Sequence, residues 1–172
     1  MRSHLLMNTG TGRFIAPSDE SIGPFFARKR LGRGLSRLDW DGDGRMDFAV
    51  SWIGEQASLV LNQTTSANHW VSLKLVATQS ERDAIGVEVE VRSDGRQQVR
   101  QLVAGDGYMA SNERLLQFGL GAATSPVSIL VRWPSGGHTR IPNVPVDAVV
   151  QVVEGREAVS WQAIGRPTRQ LP

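Results

Sequence analysis

Asp39-Trp40-Asp41-Gly42-Asp43-Gly44-Arg45-Met46-Asp47 constrains this chain more than any other stretch, because four aspartates fall on alternate positions around a glycine suited to a sharp turn. Calcium takes six to eight hard oxygen ligands, and alternation brings several carboxylates to one side of a short loop. Asp39, Asp41 and Asp43 each offer a side-chain oxygen, Arg45 its backbone carbonyl, and Asp47 closes the shell. Helix-loop-helix calcium loops close instead with a glutamate at position twelve. Here position twelve is Val50, and Phe48-Ala49-Val50-Ser51-Trp52-Ile53 is a β-type run, so the loop is expected to join two strands. The competing reading is a polar hairpin turn rich in Asp and Gly.

Composition agrees with a β protein. Eighteen glycines, eight prolines and many short Val/Ile/Leu runs mark strands broken by turns, and 40% hydrophobic residues in 172 suffice for a core. No run is long and apolar enough for a membrane-spanning helix. Residues 1–8 lack the apolar core and cleavage site of a secretory signal. With no cysteine, disulfides, thiolate metal sites and a cysteine nucleophile are excluded. The net charge is +2, and the basic residues are dispersed apart from Arg28-Lys29-Arg30 and Arg33. That cluster reads as a solvated turn without a nucleic-acid motif, so no nucleic-acid partner is expected.

Leu5-Leu6-Met7-Asn8-Thr9-Gly10 is echoed by Leu59-Val60-Leu61-Asn62-Gln63-Thr64, with the asparagines 54 positions apart. That period suits one blade of a β-propeller. Strands are expected at Gly34–Asp39, Phe48–Trp52 and Ser58–Asn62. After a polar joint at Thr64–Asn68 a second all-β unit follows, with strands at Trp70–Val76, Val87–Arg92, Gln98–Val103, Leu115–Phe118, Val127–Trp133 and Val149–Val153. Ser93-Asp94-Gly95-Arg96 is a hairpin turn. The fold class is all-β: residues 1–66 an incomplete propeller blade, 67–155 an antiparallel sandwich-like domain, and 156–172 a partly ordered tail.

Residues 1–66 resemble the end of an FG-GAP/VCBS propeller repeat through Arg33-Gly34-Leu35-Ser36 and the Asp39–Asp47 loop. Residues 67–155 resemble the ASPIC/UnbV domain. That resemblance rests on Arg82-Asp83-Ala84-Ile85-Gly86-Val87, on Gly105-Asp106-Gly107-Tyr108-Met109-Ala110-Ser111 running to Leu116-Gln117-Phe118-Gly119-Leu120-Gly121, and on Val131-Arg132-Trp133-Pro134-Ser135-Gly136. It implies a calcium-binding interaction or adhesion protein, extracellular, periplasmic or at the cell surface, with a protein or glycan partner and no established catalysis. Such proteins carry several repeats, so the chain is expected to be a carboxy-terminal fragment. Its open blade edges would then favour self-association, and residues 1–30 would be the least ordered part or be covered by the second domain or another copy.

Other residues carry weaker signals. His4, His69 and His138 are isolated, which speaks against zinc. Pro134-Ser135-Gly136 reads as a turn rather than a nucleophile elbow, and Glu81 and Asp83 as an ordinary charged turn. Tyr108 and Trp133 are expected in the core, although exposed aromatics would suit a carbohydrate-binding accessory module, the alternative function. Arg132 should pair on the surface, Asp106 should cap a turn, and the Asn62-Gln63-Thr64 sequon carries no weight. The third reading, an accessory domain of a hydrolase or lyase, needs a pocket joining His69 or His138 to a carboxylate and a hydroxyl.

Overall fold

Strict alternation of valines with polar residues makes a strand that buries one face, and the second unit is built almost wholly from such strands. The computed structural model describes residues 2–156 and 159–163. In chain order the elements are β1 (Met7–Asn8), β2 (Phe14–Ile15), a single-turn helix α1 (Asp19–Ile22), β3 (Gly32–Leu38), β4 (Asp47–Trp52) and β5 (Ser58–Val60). There follow β6 (His69–Val76), β7 (Glu88–Ser93), β8 (Arg96–Gln101), β9 (Leu116–Gly121), β10 (Val127–Arg132), β11 (His138–Val144), β12 (Ala148–Val153) and β13 (Ser160–Ala163). The described residues are all-β apart from α1. Of the region 156–172 read as a tail, β13 and its flanking Arg156 and Val159 are described, while 157–158 and 164–172 lie outside the described residues.

Two four-stranded sheets, ordered β11-β10-β7-β8 and β13-β12-β6-β9, face each other across one core. Val89, Val91, Val131 and Ile129 from the first sheet meet Val71, Leu73, Phe118, Val150 and Val152 from the second, all buried. Asp94 and Gly95 both have positive φ, 45° and 74°, as a primed two-residue hairpin between β7 and β8 requires. Trp133 is buried as expected, its indole N–H donating to Thr139 Oγ1 at 3.0 Å. Arg132 pairs on the surface with Glu88 and Glu90 at 2.7 and 2.9 Å.

Two features differ from the sequence reading. β12 runs parallel to β6 with Ala148 opposite Val71, so the second sheet is mixed rather than antiparallel. The two strands lie far apart in sequence, and the chain passes through the other sheet between them, which frees their relative direction. Strand β11 was not expected, because His138-Thr139-Arg140-Ile141-Pro142-Asn143-Val144 lacks alternation and holds a proline. It is an edge strand, the place in a sheet where a proline's missing N–H costs little.

The first unit is a three-stranded antiparallel meander, β3-β4-β5, with β1 and β2 paired separately. The segment before β3 is held by an Arg2–Lys29 bridge and by Phe25, whose ring centre lies 5.8 Å from that of Trp52 at a tilt of 46°. The loop between β3 and β4 rests on the outer face of the second sheet. Val71 and Leu73 of β6 point into the core, so Trp70 and Ser72 point the other way, yet Trp70 is 9% exposed and Ser72 is fully buried. Beside β3, the 106–113 segment closes part of the open strand edge. Arg37 N–H donates to Asn112 Oδ1 at 2.8 Å, Glu113 N–H donates to the Arg37 carbonyl at 3.0 Å, and Ser36 Oγ donates to the Ser111 carbonyl at 2.6 Å.

Candidate metal centre

β3 ends at Leu38 and β4 begins at Asp47, directly opposite it in the ladder, so the eight residues between form a loop closed at its base by strand pairing. Asp39, Asp41 and Asp43 converge there, each with a carboxylate oxygen within 4.8 Å of the others. Backbone N–H groups orient them. Asp39 accepts from Asp43 N–H at 3.0 Å and from Gly44 N–H at 2.9 Å, Asp41 from Asp43 N–H at 3.3 Å, and Asp43 from Arg45 N–H at 2.8 Å. A carboxylate oxygen has more than one lone pair, so these bonds aim the side chains without saturating them.

Burial pushes the Asp39 carboxyl up to about 6, and the charges of Asp43 and Asp41 add to it against the two N–H bonds. Asp43 is raised as well, first by burial, with Asp41 and Asp47 adding and the Arg45 N–H and guanidinium opposing. The loop thus holds carboxylates that destabilise one another when ionised. A divalent cation reverses that sign.

Asp47 stands apart from the triad. It is buried, and its two oxygens accept from Trp40 N–H at 2.9 Å and Asn62 N–H at 2.7 Å, tying the loop to the end of β5. Arg45 turns its side chain back on the site: its guanidinium contacts Asp43, and Nε donates to the Asn62 carbonyl at 2.7 Å.

Three residues of the second unit complete the loop's setting, and local sequence pattern holds no sign of them. Gln117 Nε2 donates to the Gly44 carbonyl, Glu113 Oε2 accepts from Asp39 N–H at 3.0 Å, and the Trp70 indole lies against Gly44. Gly44 has φ +82°, and a Cβ there would fall 1.9 Å from the Trp70 ring, so both conformation and space demand glycine. All three partners lie far along the chain: the β6–β9 pairing brings Trp70 and Gln117 together under the loop, and Glu113 is held by its N–H bond to the Arg37 carbonyl of β3.

The other candidates resolve differently. Tyr108 is 71% exposed rather than in the core, because Gly107 and Ala110 pinch the loop so that its ring points outward. Asp106 pairs with Arg37 at 3.3 Å, and hydrogen bonding to Asn112 leads the forces that hold its carboxyl low. Asp83 pairs with Arg114 at 3.3 Å. His69 Nδ1 lies 2.7 Å from Asp147 Oδ2, fixing the start of β6.

His138, Ser135 and Glu154 line one cleft of about 590 Å³. Glu154 is buried and collects five donors: Thr78, Gln79 and Ser80 N–H on Oε2, and the Ser80 and Ser135 hydroxyls on Oε1, all at 2.6 to 2.9 Å. Burial alone would raise it, but these bonds prevail and hold it at about 2. No hydrogen bond joins His138 to either residue, and a carboxylate held so low is a poor base for the Ser135 hydroxyl.

Residues 77–159 match the family model described as ASPIC and UnbV. The match covers a little under half of the chain, starting just after β6. No curated protein matches the chain. The ASPIC and UnbV stretch includes the Glu154 cluster, Glu113, Gln117 and the Tyr108 segment. Trp70 and the Asp39–Asp47 loop precede it.

Proposed function

We propose that the chain is a noncatalytic, calcium-stabilised interaction module of an extracellular or cell-surface protein, with β3-β4-β5 belonging to an FG-GAP/VCBS-like propeller blade. One observation carries the reading: three carboxylates converge within 4.8 Å in a loop where burial opposes the ionisation of Asp39 and Asp43 and the neighbouring carboxylate charges add to it. Hard oxygen donors in that number suit calcium better than a transition metal. Asp39, Asp41 and Asp43 would hold the ion, with the Arg45 carbonyl and Asp47 as the remaining protein ligands. The cation would supply charge neutralisation and fix the strand connection.

Extracellular calcium modules work at affinities of about 10⁻⁴ to 10⁻³ M, which a loop partly neutralised by Arg45 would suit. The noncatalytic part of the reading is supported by the Ser135–Glu154 pair, whose geometry ties the strand ends together rather than arming a nucleophile.

Calorimetric titration of the purified chain with calcium, and melting with and without EDTA, tests the proposal. Binding with a higher melting temperature is expected, and Asp41→Ala should abolish most of both. No heat of binding and identical melts would end the calcium reading.

A further inference from the structure

A second cleft, about 450 Å³ in volume, opens between the β3-β4-β5 sheet and the 106–112 segment. Its floor is apolar: Leu35 and Val50 pair across the ladder, and Trp52 lies two residues on, on the same face. Arg2, Arg30, Arg33 and Arg37 line it, and Tyr108 lies on the side of the second unit. We infer that this cleft binds an anionic saccharide, whose carboxylate or sulfate meets the arginines while its ring lies against Tyr108 and the apolar floor.

Charge points to the ligand's sign. Among the lining residues the only carboxylate is Asp106, which Arg37 engages, and Arg30 is engaged at 3.2 Å by Glu55 while lying 5.1 Å from the Trp52 ring centre. Arg33, which is exposed, adds a further guanidinium to this lining, in a chain whose total net charge is only +2. A guanidinium's planar fork matches carboxylate and sulfate oxygens. Arg33 is exposed beside the bulge in β3 and offers that fork to solvent.

Shape points to the ligand's kind. A volume of this size holds a small molecule, and an apolar floor with a few polar groups is the usual composition of such a site. Tyr108 supplies a flat ring, mostly exposed, on a segment already fixed by the Gly107–Ala110 bridge and by Ser111 and Asn112 against β3, so little ordering opposes binding. Asp106 and Asn112 add acceptors and a donor suited to sugar hydroxyls.

A nucleic acid fits less well. β3 runs from the arginines straight into Asp39, Asp41 and Asp43, so a phosphate chain following the cations would meet the acidic loop. Single-strand sites also stack successive bases on several rings, whereas Tyr108 is the only strongly exposed aromatic lining this cleft. An acidic peptide added as a strand would find the β3 edge taken at Arg37 by Asn112 and Glu113. The inference names a ligand class for the interaction role proposed above and rests on that role, but not on calcium. Calcium titration tests the loop and saccharide titration the cleft, so either can fail alone.

The test titrates the whole chain, at fixed calcium and low salt, with trigalacturonate, a sulfated heparin disaccharide, neutral maltotriose and a short oligothymidylate. At least one anionic sugar should bind about tenfold more tightly than maltotriose, and the stronger of the two identifies the group read. Arg33→Ala should weaken that binding about tenfold and Tyr108→Ala about fivefold, with melting temperatures unchanged because both side chains are exposed. Equal binding of maltotriose, strongest binding of the oligothymidylate, no binding of either anionic sugar, or wild-type affinity in both variants would overturn the assignment.

Discussion

Glu154 and the Asp39–Asp43 triad are both acidic sites at strand ends, and they are opposites. Glu154 is one carboxylate with five donors, held at about 2, while Asp39 sits among other carboxylates and is pushed to about 6. Burial alone does not separate them, since Asp43 and Glu154 are buried almost equally. What separates them is who supplies the positive potential. At Glu154 the protein does so through N–H and O–H groups, and the charge is a finished structural part. In the loop the N–H bonds aim the carboxylates and oppose their repulsion but do not make up for burial, leaving a charge deficit that a cation can fill.

The largest effect should come from removing the finished site. Glu154→Ala leaves three buried N–H groups and two hydroxyls without their acceptor, a loss of about 4 kcal/mol in unfolding free energy. Denaturant melts should show the same loss in calcium and in EDTA; a loss that vanished in EDTA would mean that Glu154 also serves a cation. Acid sharpens the contrast. Because Glu154 titrates lower when folded than its ordinary 4.5, its stabilisation is complete above pH 4.5 and is lost as pH falls toward about 2. In Glu154→Gln that part of the acid dependence should be absent.

Gly44→Ala comes next, at about 3 kcal/mol, since the new methyl meets the Trp70 ring and the backbone has positive φ. Calcium affinity should fall with stability, because the loop cannot keep its shape against β6. If Gly44→Ala melts like the wild type, the loop does not rest on Trp70. Calcium itself should contribute about 2.7 kcal/mol at a hundredfold excess over its dissociation constant, roughly 8 °C of melting temperature in a chain of this size. Asp41→Ala in calcium should melt like the wild type in EDTA, and a difference between those two would show stabilisation arising elsewhere.

Sequence alone made the triad legible and left its foundation hidden. Alternating aspartates bring their own side chains together, so Asp39, Asp41 and Asp43 could be named from spacing, and the β4 run could be told from a helix by its β-branched and aromatic content. Most strands of the sandwich were legible for the same reason, period-two alternation. β11 was not, because an edge strand with Pro142 needs no alternation to hold its place. Tyr108 is expected in the core, yet its position is set by contacts within the 105–113 segment and of that segment with β3, which no local pattern encodes. Nothing in the local sequence marks Glu154, since its donors are mostly backbone N–H groups from a turn far earlier in the chain.

The smallest effect is the most specific. Gln117 donates one hydrogen bond to the Gly44 carbonyl and belongs to the ASPIC and UnbV stretch, whereas Gly44 belongs to the loop. Gln117→Ala removes that bond and should cost about 1 kcal/mol. The loss has to divide between two observables if the loop and the sandwich are coupled: part as lower stability in EDTA, part as weaker calcium binding, because binding energy would be spent on ordering a loop that Gln117 no longer steadies. Calorimetry on the variant would therefore show a dissociation constant raised about threefold. An unchanged constant alongside the full stability loss would place Gln117 with Glu154, as a part of the frame that the cation never senses.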